Sequence, residues 1–262
     1  VLNDVAEICR IARRHGARVL VDAAQLVARR KVEVGAWGID YLALSAHKGY
    51  APFGSGALVA RRGLLTFAAD EMERIRSSGE ENVGGITALG RALVLLQRIG
   101  FDLIQEEERD LTARALRGLA QVPGFTIYGT KDPGSPRLAR RGGVIAFNLA
   151  GRMAGPVAEE LAERSGIGTR FGCHCAHLLI KRLLGLSRPL EQFQWLVVTV
   201  APALSLPGVA RVSLGLQNSE QDVDALVRVL TALADRTSRP RADVRQRIQS
   251  FVEARAKMVY GR

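Results

Sequence analysis

The sequence predicts an α/β protein in two parts: a partial larger domain with a mixed sheet over residues 1–110, and a smaller C-terminal α/β domain over residues 111–262. Three observations carry this reading. Short apolar runs that stop at a polar residue or open through glycines recur at 18–22, 39–45 and 54–60, the pattern of buried strands. Two long helical periodicities follow, at 83–99 and 101–119. Beyond them, strand-like and helix-like segments alternate.

Residues 2–15 form an amphipathic helix, with Val5, Ile8, Cys9, Ile11 and Ala12 on the apolar side and Gly16 as its stop. Cys9 is therefore a core residue. RVLVD (18–22) is the first strand, and Arg29-Arg30-Lys31 after it reads as a solvated face. IDYLALS (39–45) is the second strand and GSGALVA (54–60) the third; the short connections predict that the three lie side by side. Residues 62–80 link onward. The 83–99 helix stops at Gly100, and the 101–119 helix carries a charged face at Glu106, Glu107, Glu108, Arg109 and Asp110. Residues 129–141 are a loop, 143–149 a strand, 156–165 a helix and 166–171 a strand. An apolar segment with Trp195 fills 183–207. Ser219 and Asp222 cap a helix over 219–234, and 241–260 is a final basic amphipathic helix.

The formal net charge is +11, yet no recognition motif or aromatic-interleaved basic stripe accompanies it, so nucleic acid is not expected as a partner. No apolar run reaches membrane-spanning length. Three cysteines, an odd number, argue against a disulfide framework and for a reducing, cytoplasmic compartment. The chain opens at Val1, just before a helix and with no lead-in strand, which is expected of a piece of a longer chain.

Chemistry concentrates between Arg18 and Arg61. In open α/β sheets, ligands bind beyond the carboxyl ends of strands. Asp22, Ser45, His47 and Lys48 all fall at such ends and can converge. A carboxylate, an amine, an imidazole and a hydroxyl around one crevice suit pyridoxal phosphate. That cofactor needs an amine for an imine, an anion for its ring nitrogen and donors for its phosphate. Read alone, Asp22 serves equally well as a helix N-cap before Ala23-Ala24-Gln25.

VDAAQ followed by Ser45-x-His47-Lys48-Gly49-Tyr50-x-Pro52-x-Gly54-x-Gly56 resembles the class V aminotransferase and cysteine desulfurase family, pyridoxal-phosphate enzymes of fold type I. NVGGI (82–86), FNL (147–149), TRFGCHCAH (169–177) and ARVSLGLQNSEQDVDAL (210–226) continue the resemblance in the family's order. It implies that Lys48 is the Schiff-base lysine and that Asp22 partners the ring nitrogen. Gln25 would bond the phenolic oxygen, and Ser45 and His47 the phosphate. It implies an amino-acid substrate held through its α-carboxylate by Arg211, with Arg170. Cys175, in Arg-x-Gly-x-x-Cys-Ala, would take sulfur from L-cysteine as a persulfide and leave alanine. A homodimer and a sulfur-acceptor protein are the implied partners. The family also carries upstream phosphate-binding and ring-stacking groups, without which residues 1–262 are expected to bind the cofactor weakly.

Other readings of the same residues stand beside these. Cys173, His174, Cys175 and His177 invite a metal, but no second separated ligand pair completes a tetrahedral site, so none is expected. Cys175 reads alternatively as a small packing residue, and Arg211 as a surface residue at a strand end. The sequence departs from the family at Glu80, where a phosphate-binding Thr is common, at Cys173, where His is common, and at 183–207. These departures keep open another class V reaction (transamination, epimerisation or elimination), or a non-catalytic family member.

Overall fold

The structure, a computed structural model, describes residues 2–79, 81–185 and 208–235. Glu80, the segment with Trp195 and the 241–260 helix expected from sequence lie outside the described residues.

Helix α1 (Val5–Arg14) is capped by Asp4, whose carboxylate accepts from the Glu7 N–H at 3.2 Å. It buries Cys9 against Ala23, Val27, Ile39 and Leu42. Strand β1 (Leu20–Asp22), the short helix α2 (Val34–Trp37), strand β2 (Tyr41–Ser45) and strand β3 (Gly56–Ala60) follow. The sheet order is β1-β2-β3, as the short connections predicted. β1 runs parallel to β2 with Asp22 opposite Ala43; β3 is antiparallel with Gly56 opposite Ser45. Asp40 sits almost buried before β2, accepting from the Val19 N–H at 2.8 Å and pairing with Arg61 at 3.1 Å.

The link expected over 62–80 contains a helix, α3 (Ala69–Ser77). Helix α4 (Val83–Ile99) starts where Asn82 accepts from the Gly85 N–H at 2.9 Å, and packs Leu89 and Ala92 on Ala46 and Ala51. Gly100, at φ 94°, separates it from α5 (Phe101–Leu119).

The second part contains β4 (Phe125–Tyr128), β5 (Val144–Leu149), α6 (Ala154–Ser165), β6 (Arg170–Gly172), α7 (His177–Leu183), β7 (Val209–Ser213) and α8 (Glu220–Ala234). Its sheet, in order β4-β5-β7-β6, is wholly antiparallel. α5, α6 and α8 share one core with it, centred on Leu116, Phe147, Leu161, Ala210 and Leu230. Alternation along a strand sends the neighbouring residues to the other face. The row Tyr128–Ala146–Arg211–Arg170 therefore crosses the sheet on the face away from Phe147 and Ala210.

One expectation is corrected. Arg29 and Arg30 are not a solvated face, and Glu108 does not belong to an exposed one. Their side chains are only 17%, 12% and 9% exposed, and both guanidiniums pair with the Glu108 carboxylate. Arg29 also donates to the Leu214 carbonyl at 3.2 Å, and Arg30 to the Arg141 carbonyl at 3.3 Å. The cluster thus ties the first sheet's end to α5 and to the second sheet. Lys31 alone behaves as expected, 70% exposed and paired with Glu33.

Candidate functional site

The lysine stands on a fixed backbone. Ala46, fully buried, donates its N–H to Ser55 O at 2.9 Å and accepts from the Ala51 N–H at 3.0 Å. The 3-10 turn Ala46–Gly49 is anchored there, and it presents His47 and Lys48 to the outside. Ser45 Oγ and His47 Nδ1 share a hydrogen bond of 2.9 Å. Gly56 is required beside them, because a Cβ there would lie 2.8 Å from the Leu44 carbonyl oxygen.

Asp22 is exposed at the carboxyl end of β1, one strand away. Its Oδ1 accepts from the Ala24 N–H at 3.0 Å, so the capping role that the sequence allowed is real. What it caps is a turn through residues 24–29, not a helix. Its other oxygen has no partner among the described residues. Gln25 is exposed on that turn. Asp22, Gln25, Ser45, His47 and Lys48 therefore collect at one end of one small sheet.

The second cluster lies in the antiparallel sheet. Arg211 occupies the middle of β7, between β5 and β6, and not a strand end on the surface. It is half-buried, and its Nε is buried with no hydrogen-bond partner among the described residues. Its cross-strand neighbour is Arg170. Like charges directly opposite destabilise a sheet. A pair of guanidiniums with an unsatisfied buried nitrogen fits a bound carboxylate, which both can grip.

Cys175 follows in a tight turn. The Ala176 N–H donates to Cys173 O at 2.8 Å, and His174 and Cys175 both have positive φ, 49° and 60°. That is the type I′ pattern, costly for residues with a Cβ and therefore held from outside. His174 Nε2 donates to the Val209 carbonyl at 3.0 Å, tying the turn to the start of β7. Burial pushes the His174 imidazole below its usual range, and the charges of Arg211 and Arg170 push the same way, against the Val209 bond. Before the turn, Gly172 and Gly208 touch backbone to backbone: a Cβ on Gly208 would lie 2.6 Å from Gly172 Cα. Cys173 is half-buried and Cys175 exposed.

Tyr50, two residues past Lys48, ties the first sheet's end to the segment after β7. Its backbone is left-handed, at φ 65°, and its hydroxyl accepts from the Leu216 N–H at 3.0 Å. Gly215 allows this approach, since a Cβ there would lie 3.1 Å from the hydroxyl. Behind it lies a cavity of about 240 Å³ bordered by Arg29, Glu108, Leu111 and Leu214. Among the described residues, no hydrogen bond or ion pair joins Lys48 to Cys175 or Arg211. In the sequence Tyr50 stands within a motif without a role, and His174 stands only in a cluster that invites a metal, not as a tether to Val209; the Gly-Tyr pair directly after Lys48 is the available signal for Tyr50.

Residues 1–226 match the family Aminotransferase class-V. The chain belongs to the class V aminotransferase family. Among its curated relatives, the cysteine desulfurase of Klebsiella pneumoniae is 34% identical over 245 residues, covering 86% of this chain and 53% of the relative. The cysteine desulfurase of Salmonella agona is also 34% identical, over 88% of this chain and 54% of its own. Among solved structures, the apo cysteine desulfurase of Thermococcus onnurineus has a TM-score of 0.67 at 27% identity, covering 88% of this chain and 56% of that one. The cysteine desulfurase CsdA of Escherichia coli, in an S-sulfonic acid form, has a TM-score of 0.67 at 26% identity over 87% and 54%. The fold of this class V chain is that of the fold type I pyridoxal-phosphate enzymes. The chain spans about half the length of the curated relatives it matches. No described helix is long and apolar enough to cross a membrane.

Proposed function

We propose that this chain is part of a pyridoxal-phosphate-dependent cysteine desulfurase, with L-cysteine as substrate and a protein as sulfur acceptor. The observation that carries the reading is the pairing of Arg170 with half-buried Arg211 beside the strained, exposed Cys175 turn. The donor set at the first sheet's end fits the cofactor: an amine, a carboxylate oxygen without a partner among the described residues, an amide, and a hydrogen-bonded hydroxyl and imidazole. When bound, the cofactor supplies an electron sink for bonds at the substrate α-carbon.

Lys48 holds the cofactor and moves the proton at the α-carbon. Asp22 holds a proton on the ring nitrogen through its free oxygen, Gln25 bonds the phenolic oxygen, and Ser45 and His47 bind the phosphate. Arg211 and Arg170 orient the substrate by its carboxylate. The Cys175 sulfur then bonds to the substrate sulfur as the substrate's carbon–sulfur bond breaks. The carbon keeps that electron pair, takes up a proton and leaves in alanine; Cys175 keeps the sulfur as a persulfide. Residues 1–110 supply the cofactor side and residues 111–262 the substrate side, with the change falling inside α5. The active form in this reading is a cytoplasmic homodimer.

The test is alanine and sulfide release from L-cysteine by the full-length protein loaded with pyridoxal phosphate. Lys48→Ala should lose both cofactor absorbance and turnover. Cys175→Ser should lose turnover and keep the absorbance. Unchanged turnover in Cys175→Ser would instead favour another class V reaction.

A further inference from the structure

We propose that Cys173 is the resolving thiol of Cys175, so that this protein discharges its own sulfur by closing a Cys173–Cys175 disulfide. The inference rests on the desulfurase reading and goes beyond it, because that reading uses a single cysteine.

Three observations converge. The two cysteines are the first and third residues of one hydrogen-bonded turn. Their Cα atoms can be no more than about 7 Å apart, and disulfides span roughly 4.4–6.8 Å between Cα atoms. The turn is anchored on both sides, by the Gly172–Gly208 backbone contact and by the His174–Val209 hydrogen bond. The pair is thus kept close instead of being averaged over an open loop. Both thiols are also reachable: Cys175 is exposed and Cys173 half-buried, whereas Cys9 is 3% exposed and packed in the core of the first sheet.

The step balances without an outside oxidant. The Cys173 thiolate attacks the inner sulfur of the Cys175 persulfide. The Cys173–Cys175 sulfur–sulfur bond forms, the bond to the outer sulfur breaks, and its electron pair leaves as hydrosulfide. The Cys173 sulfur is oxidised as the departing sulfur is reduced, and the Cys175 sulfur keeps its oxidation state. Hydrosulfide is a good leaving group, which favours attack at that position. A dithiol reductant then reopens the disulfide for the next cycle.

The test uses full-length protein loaded with pyridoxal phosphate and given one equivalent of L-cysteine per subunit, so that the substrate's own thiol is consumed and no other thiol is present. Alkylation, trypsin digestion and mass spectrometry follow, with alanine and sulfide measured alongside. The fragment 171–181, between Arg170 and Lys181, holds both cysteines. The expected product is that fragment two hydrogens lighter than its dithiol and unalkylated, with sulfide released to match alanine. In Cys173→Ser the fragment should instead carry one extra sulfur, and sulfide release without added thiol should be lost. Alanine formed by the wild type with the extra sulfur still on Cys175 and Cys173 alkylated would overturn the proposal and leave the desulfurase reading standing. Absence of alanine would overturn both. Diamide oxidation of the cofactor-free protein is expected to close the same disulfide; two alkylatable thiols remaining in 171–181 would refute the geometry.

Discussion

Replacing Glu108 by Gln should destabilise the protein far more than its place on a helix surface implies. Its carboxylate, 9% exposed, faces two guanidiniums, those of Arg29 and Arg30. Burial lowers the pKa of both arginines, so the site disfavours the cations it contains. At an effective dielectric constant of about 20, a charge pair at the 3.2 Å of Arg30–Glu108 is worth roughly 5 kcal/mol. A glutamine keeps the volume and recovers about 1 kcal/mol for each hydrogen bond it still accepts. The two cations then remain buried with a neutral partner, and such broken buried pairs cost about 3–5 kcal/mol. Domains of this size have only about 5–15 kcal/mol in total. Urea denaturation of Glu108→Gln against wild type should therefore show a loss of roughly 3 kcal/mol or more. A double-mutant cycle with Arg29→Met should show coupling of at least about 1 kcal/mol, because the two changes remove the same interaction. A loss below about 1 kcal/mol would refute the reasoning and leave the cluster a surface ornament.

Four further outcomes follow from particular contacts. Gly208→Ala should force β6 away from β7, since the conflict at 2.6 Å is with the Gly172 backbone; sulfide release should fall while cofactor absorbance persists. Cys9 should resist thiol reagents in the native protein while Cys175 reacts, because burial, with Asp40 nearby, raises the Cys9 thiol pKa; labelled peptides identify the order. The lowered His174 pKa means that the unfolded chain protonates first as pH falls below the ordinary imidazole value of about 6.5. Its contribution is whole above that pH and lost below it, so urea midpoints of wild type should drop more steeply there than those of His174→Gln. Phe147→Ala, at a fully buried position stacked on Phe125 with centroids 4.7 Å apart, should cost about 3–5 kcal/mol in the same assay.

The long helices were legible because their signals are local. Gly100 between two apolar periodicities fixes both ends of a helical hairpin, and α4 and α5 have the bounds the sequence implies. The first sheet was legible for a similar reason: three short apolar runs with short connections have few ways to pair. β4 was missed because Phe125–Tyr128 is too short to carry a period; it is a strand because β5 offers it a partner. The strand expected over 166–171 shrank to Arg170–Gly172 because only those residues meet β7.

The same division runs through the site. Reactive residue types announce themselves, so Asp22, Lys48, Arg211 and Cys175, the residues proposed to carry the chemistry, could be named before any geometry. Residues that hold the chemistry in place do not. Arg29-Arg30 looks like a solvated run until Glu108, 78 residues on from Arg30, supplies its counter-charge. Tyr50 has for partner the backbone N–H of Leu216, 166 residues away, and a backbone group leaves no mark in a sequence. His174 likewise binds a carbonyl, that of Val209. Reactive side chains are chosen for what they are and supporting ones for what they reach. Substitutions at Glu108, Tyr50 and His174 therefore test whether the two clusters act as one site.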